Sequence, residues 1–282
     1  MAAYARRFAR NRMAALGAGI LLAMLFVAAF APWLAPQDVY DLSTLDIMDS
    51  RLPPGGESFA GGVYWLGTDD QGRDLLSASM YGLRVSLVVA LAGTTAALAI
   101  GVFFGILAAY AGGAVDTAIM RVVDLQLAFP SILTALVMVA LFGAGLEKVV
   151  LAIAISQWAI FARTLRSTAI VERTKEYVKA AVTLRYSSAR IMLVHLLPNS
   201  IAPLSVLVVA EIAAAISLEA MLSFLGIGLP VTRPSLGLLI SNGYSYMLAR
   251  EYWISMVPGA FLVLLLLSIN LVGERMRQLN ES

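Results

Sequence analysis

Residues 13–34 carry no formal charge. At 1.5 Å of rise per residue, a helix over this stretch is about 33 Å long, enough to cross the ~30 Å hydrocarbon core of a bilayer. In lipid a backbone must satisfy its own N–H and C=O groups, so a run of this kind folds as a helix wherever it crosses. Comparable runs follow at 85–110, 125–143, 149–162, about 199–224 and 254–271. The chain is 60% hydrophobic and only 13% charged, about half the charged share of a soluble domain. These properties imply an all-α integral membrane protein with six transmembrane helices.

The individual runs differ in character. Arg6, Arg7, Arg10 and Arg12 precede the first, which is too long for the apolar part of a secretory signal; Pro32 also follows its best Ala-x-Ala site, so an uncleaved first helix is expected. The second is rich in Ala and Gly, which permits close helix packing. The third contains Pro130, tolerated in a spanning helix when neighbours re-satisfy the freed carbonyl. The fourth is short and reaches full length only by including Arg163 and Arg166, which can snorkel to an interface. The fifth carries Glu211 and Glu219.

Six spans place both termini on one side. With that side cytoplasmic, 14 of the 20 Lys and Arg residues lie inside, from Arg6 to Arg277, and six (Arg51, Arg73, Arg84, Lys148, Arg233 and Arg250) lie outside. This split agrees with the positive-inside rule and puts the polar stretch "EYVKAAVTLRYSSARIMLVHLLPN" in the cytoplasm, between spans four and five. From Thr174, a plausible N-cap, to Leu184 it reads as an amphipathic helix. Tyr177, Val178, Ala181, Val182 and Leu184 fall on one side; Lys175, Glu176, Lys179 and Thr183 fall on the other. Ala180 and Ala181 allow another surface to approach closely. Such a helix can lie flat on lipid or serve as a knob for a soluble partner, and periodicity does not choose between them.

The stretch resembles the EAA loop of ATP-binding-cassette importer permeases. Glu176, Tyr177, Val178, Ala180, Ala181, His195, Leu197, Pro198 and Asn199 match the form found in the peptide/nickel branch. Arg185 stands where the family usually has Gly; that Gly permits a turn at positive φ, so an arginine implies ordinary helical geometry or compensation by a partner. "LGTDDQGRDLLSASMYGLRVSL" (66–87), with Ala78 in place of a common Arg, and "LEAMLSFLGIGLP" (218–230) resemble segments of the shorter, C-type permease of that branch.

The resemblance implies a subunit forming half of a translocation pathway for di- or oligopeptides. It divides the chain into residues 1–82, comprising the N-terminal tail, first span and external loop, and 83–282, a five-helix core with the coupling loop at about 171–199. Glu176, Tyr177, Ala180, Ala181, Arg185, His195 and Pro198 belong to that loop, whose helix seats on an ATPase subunit. The implied partners are two such ATPases, a second and non-identical permease, a solute-binding protein and the bilayer of a bacterial inner membrane; nucleic acid is not among them. ATP and Mg are bound by the ATPases. This chain is not expected to be an enzyme or to hold a cofactor or metal: it has no Gly-Lys pair, which a phosphate-binding Walker A loop requires, and no cysteine. Other members of the branch carry nickel chelates, glutathione or haem. An ion-coupled secondary transporter would need internal repeats and broken midplane helices, and a non-transporting scaffold would need neither.

Several residues admit two readings. His195 is the sole histidine and has no partner cluster, so a structural role outweighs a ligand or proton relay. Glu211 and Glu219, near two helical turns apart, can share a face of the fifth span, serving a cavity or gate or pairing with another helix. Asp116, Arg121 and Asp124 are expected to form a local charge network at the entry of the third span. The cluster Asp69, Asp70, Gly72, Arg73, Asp74 reads as loop structure and docking contacts ahead of a cation site.

The orientation has a direct test in a chain without cysteine. A single cysteine at Ser58 should react with an impermeant thiol reagent from outside, and one at Ser188 only after the membrane is opened. Labelling of Ser188→Cys in intact spheroplasts would reverse the orientation.

Overall fold

A computed structural model describes residues 8, 11–41, 45–59, 61–230 and 232–281; Arg6, Arg7 and Arg10 lie outside them. Among the described residues, five helices are long and apolar enough to cross a membrane: α1 (Arg12–Leu34), α2 (Leu75–Ala111), α5 (Leu146–Arg173), α7 (Ala202–Phe224) and α9 (Trp253–Glu281). A sixth crossing can be made only by a bent pair, α3 (Gly113–Ala128) and α4 (Ser131–Phe142). Two shorter helices complete the helical elements used below: α6 (Glu176–Thr183) at one end of the bundle and α8 (Leu236–Tyr244) between α7 and α9.

The bent pair corrects the expectation of a continuous third span over 125–143. The two helices meet at 95°. The cause is local: Phe129, which precedes Pro130, takes an extended conformation with φ −95° and ψ 139°, because the proline ring disfavours helical backbone in the residue before it. α3 has 16 residues and α4 has 12, about 24 Å and 18 Å, so neither crosses alone. Asp116 and Asp124 consequently sit inside α3. They pair outward with Arg166 and Arg163 of α5, while Arg121 is exposed. The expected local network is instead a strut between α3 and α5.

The centre of the bundle is the α2–α5 seam. Small residues recur every fourth position along α2: Gly93, Ala97, Gly101, Gly105 and Ala109 are all buried. A Cβ on Gly93 would stand 2.6 Å from Ile153, and one on Gly101 would stand 2.5 Å from the Phe161 Cβ. The backbones therefore meet as closely as side chains allow, and dispersion across that contact replaces the hydrophobic drive that lipid removes. Ile153, Phe161, Ala162 and Leu165 of α5 are buried completely.

α2 has 37 residues, about 55 Å, far beyond the hydrocarbon core. Its N-terminal turns rise into a small cap that includes residues 35–41, 45–59 and 61–74. There β1 (Gly56–Glu57) pairs antiparallel with β2 (Val63–Tyr64), Gly56 facing Tyr64. Polar contacts hold the cap together. Asp49 is buried and accepts from the Ser58 hydroxyl (2.6 Å), the Phe59 N–H (2.9 Å) and the Tyr64 hydroxyl (2.9 Å). Burial alone would raise its carboxyl; the three hydrogen bonds outweigh this and hold it below the usual range. Asp69 accepts from Arg73 Nε at 2.6 Å with both side chains inside, and Asp74 caps α2 through the Ser77 N–H at 2.8 Å. The Asp69–Asp74 cluster is thus bound up in loop structure. Because Ser58 is tied to Asp49, the neighbouring Phe59, 72% exposed, is the cleaner labelling position on the cap.

Gly101→Ala should cost about 1–3 kcal/mol by overpacking the seam, seen as a lowered unfolding midpoint in detergent. Gly259→Ala, inside α9 with nothing within 4 Å of its added Cβ, should leave the midpoint unchanged or raise it, by up to about 1 kcal/mol of stability. Equal midpoints for the two variants would remove the seam from its central place.

Candidate functional site

At the end of the bundle opposite the cap, α5 stops at Arg173 and the chain turns into α6. Thr174 closes α5: its N–H reaches the Val171 and Glu172 carbonyls, and its hydroxyl donates to the Val171 carbonyl at 2.8 Å. It is not the N-cap of α6, as the pattern suggested. Lys175 takes that position without a side-chain cap bond. Glu176 occupies the first turn of α6, where the positive end of the helix dipole favours a carboxylate. The Tyr177 hydroxyl donates to Glu172 at 2.7 Å; burial and that neighbouring carboxylate push it up to about 12.

α6 touches the bundle along a narrow line. Val178 and Ala181 are buried in a cluster with Ile106, Phe161, Leu165, Ile191 and Leu196. Tyr177, Ala180, Val182 and Leu184 face out, Val182 at 55% and Leu184 at 65% exposure. The expected single apolar side is therefore split, because the helix sits on the tip and only one strip of it meets the bundle. Ala181 belongs to that inner strip and Ala180 to the outer surface. A bulky residue at Ala181 would disturb packing before it met any partner.

α6 ends in a Schellman motif with an arginine at its left-handed position. Arg185 has φ +54°; its N–H bonds the Val182 carbonyl at 2.9 Å, and the Tyr186 N–H bonds the Ala181 carbonyl at 3.1 Å. The turn that glycine would make is kept without glycine, which excludes ordinary helical geometry there. The Arg185 side chain is exposed and makes no ion pair among the described residues.

The return to α7 runs through a π-helical segment, Ile191–Leu196, between short α-helical turns. His195 is half-buried in it, its Nδ1 3.3 Å from the Arg190 carbonyl and its ring 5.7 Å from that of Tyr186. Pro198 stands in the first turn of the next helical segment, Leu197–Ser200. Arg190 stacks on Tyr186 at 4.3 Å, and the Asn199 side chain donates to the His195 carbonyl at 2.7 Å. Two further contacts, outside the pattern that marked the loop, fasten it to the bundle: Arg173 donates to the Ala109 carbonyl at 3.0 Å, and Tyr110 donates to Ser188 at 3.1 Å. Both join residues more than sixty positions apart, so no local signal announced them.

The two carboxylates of α7 have different surroundings. Glu219 is completely buried and is held by the Ser86 and Ser223 hydroxyls, each at 2.7 Å. The Ser86 bond joins it to another helix, α2. Glu211 is half-buried; its backbone carbonyl accepts from Gln157 Nε2 at 2.9 Å, and its carboxylate has no hydrogen bond or ion pair among the described residues. At 100° per residue, eight positions leave the two side chains about 80° apart, enough to separate their environments.

A spanning bundle held by a small-residue seam, with a short amphipathic helix at its tip, is an integral membrane protein. The chain belongs to the family of binding-protein-dependent transport system inner membrane components, whose model matches residues 101–282. The model of the N-terminal TM domain of oligopeptide transport permease C matches residues 2–54. Among relatives, the di/tripeptide transport system permease protein DppC of Pseudomonas aeruginosa is 36% identical over 96% of this chain and 88% of its own length. The oligopeptide transport system permease protein OppC of Bacillus subtilis is 31% identical over 96% and 86%. The inward-facing MetNI methionine ABC transporter matches in structure with a TM-score of 0.56 at 18% identity, covering 72% of this chain and 95% of that one; this likeness shows the fold. The chain is a permease subunit of an ATP-binding-cassette importer, in which ATP is hydrolysed by a separate subunit.

Arg185→Gly should stabilise the chain. The left-handed position costs a residue with a Cβ about 1–2 kcal/mol, and the added freedom of the unfolded chain returns about 0.4–1 kcal/mol. A gain of roughly 0.5–1 kcal/mol in detergent unfolding follows from that difference; an unchanged or lowered midpoint would show that the arginine is not strained.

Proposed function

We propose that this permease forms half of the pathway for di- or oligopeptides and that α6 is its coupling helix, seated in a cleft of an ATPase subunit. The carrying observation is the uncovered apolar surface at the tip, formed by Val182 and Leu184 of α6 with Leu193 and Val194 of the π segment. Each is more than half exposed, and exposed apolar side chains on a segment outside the spanning helices favour contact with another protein. Glu176, Tyr177, Ala180 and Arg185 frame it from the outer side, while Ala181, His195 and Pro198 position it. The peptide cargo is supported by relatives named for di/tripeptides and oligopeptides.

On this reading both termini and α6 are cytoplasmic, the cap faces outward in a bacterial inner membrane, and the complete importer holds two ATPases, a solute-binding protein and a second, non-identical permease. ATP closes the ATPase pair, α6 moves with it, and the spans rock between inward- and outward-facing states. Arg185 completes the contact by pairing with an acidic group on the ATPase, an exposed pair worth about 0–1 kcal/mol. Glu211 lies toward the pathway, its half-buried carboxylate unpaired among the described residues.

Leu184→Asp places a charge in the docking surface without touching the bundle. It should reduce ATP-driven peptide uptake by the reconstituted importer at least tenfold while the unfolding midpoint stays within about 0.5 kcal/mol. Arg185→Glu should weaken copurification of the ATPase more than Arg185→Gly. Full uptake by Leu184→Asp at normal expression would overturn the assignment of α6.

A further inference from the structure

Glu219 does more than fill a polar gap in α7. Its carboxylate joins α7 to α2 and reaches α8 through Ser86. One oxygen accepts from Ser86 of α2 and the other from Ser223 one turn along α7, both at 2.7 Å. Ser235, the N-cap of α8, accepts the Leu238 N–H at 3.3 Å. Ser86 in turn accepts the N–H of Leu236, the first residue of α8, at 3.4 Å. Ser86, Ser223, Ser235 and Glu219 are all completely buried.

α8 is also held by its Ser241 hydroxyl, which donates to the Phe224 carbonyl of α7 at 2.6 Å, and by Ser255 of α9, which donates to the Ile240 carbonyl at 2.9 Å. It is nine residues long, about 14 Å, so it cannot cross the membrane and lies against α2, α7 and α9. Its contact with α7 is very close: a Cβ on Gly237 would stand 2.4 Å from the Ala220 carbonyl. That seam forms part of the wall of an apolar groove of about 470 Å³, lined by Ala220, Met221, Gly237, Ile240, Leu262 and Leu266 among others. Glu219 is the residue before Ala220, so its anchorage sets the spacing of α7 and α8 along that wall.

We propose that Glu219 is a positioning residue for transport: with Ser86 and Ser223 it clamps the half-helix α8 to α7 and α2, so that the groove wall moves as one body when the spans rock. This rests on the transport reading above. The clamp itself can be read without any transport.

The test uses the full chain assembled with its cognate subunits and carrying one added cysteine. Leu238→Cys lies on the buried side of α8 (5% exposed), and Ile153→Cys lies in the α2–α5 seam (0%). With Glu219 present, a membrane-permeant maleimide should label both slowly. In Glu219→Leu, labelling at Leu238→Cys should rise at least tenfold while Ile153→Cys stays protected. Glu219→Gln, which keeps one acceptor oxygen, should rise less, and Ser86→Ala should behave similarly; these two carry the test if Glu219→Leu does not accumulate. In peptide uptake, Glu219→Gln should lower Vmax per assembled complex about tenfold and leave KM unchanged. A purely structural defect would instead reduce the number of complexes. Protection of Leu238→Cys in every clamp variant, or equal exposure of both cysteines, overturns the clamp. Local exposure with unaltered Vmax overturns its part in transport. Local exposure in a native complex that moves no peptide would leave the clamp standing and remove the transport reading.

Discussion

The α2–α5 seam depends on a feature of lipid: hydrocarbon tails are as apolar as the side chains they would replace, so apolar burial contributes little to helix association. What remains is contact at close range, and α2 provides it by omitting side chains where α5 passes. Ile153, Phe161 and Leu165 fill the spaces left by Gly93, Gly101 and Gly105. The other elements are attached to this pair: α3 through the Asp116–Arg166 and Asp124–Arg163 pairs, α6 through Val178 and Ala181, and α8 through Ser86. A shift of the seam would reach all of them.

Much of the architecture was legible because it is written in long-period composition. Charge-free runs located five of the spanning helices, and motif spacing located the turn into α6. What escaped was decided by single residues or by distant partners. Pro130 was recognised, but whether its neighbours would keep the helix straight depended on packing; Phe129 went extended and the span broke. α8 is a short apolar stretch with two glycines, a serine and an asparagine, "LGLLISNGY", which reads equally well as a connecting loop. The hydroxyls around Glu219 lie up to 133 positions away, so their convergence has no local signature.

The α6 region divides the same way. Periodicity placed Val178 and Ala181 together on one face, and both are buried. It also placed Val182 and Leu184 with them, because a helical wheel assumes a partner broad enough to cover a whole side. At the tip of a bundle the contact is only a strip. The left-handed Arg185 could not be read from the residue itself, since arginine rarely adopts that conformation; only the turn that closes around it, made by the backbone of Val182 and Ala181, requires it.

α2 also has a mechanical consequence. Its first residue follows the Asp74 cap, among the polar contacts that order the β-hairpin, and its last turns are fastened to the opposite tip by Tyr110 and by the Arg173 bond to Ala109. Over its 37 residues, about 55 Å, no proline interrupts it. It is a lever arm with a load at each end. A tilt of one degree swings one end about 1 Å relative to the other, so a displacement too small to notice at the seam is amplified where the rod emerges from the bilayer.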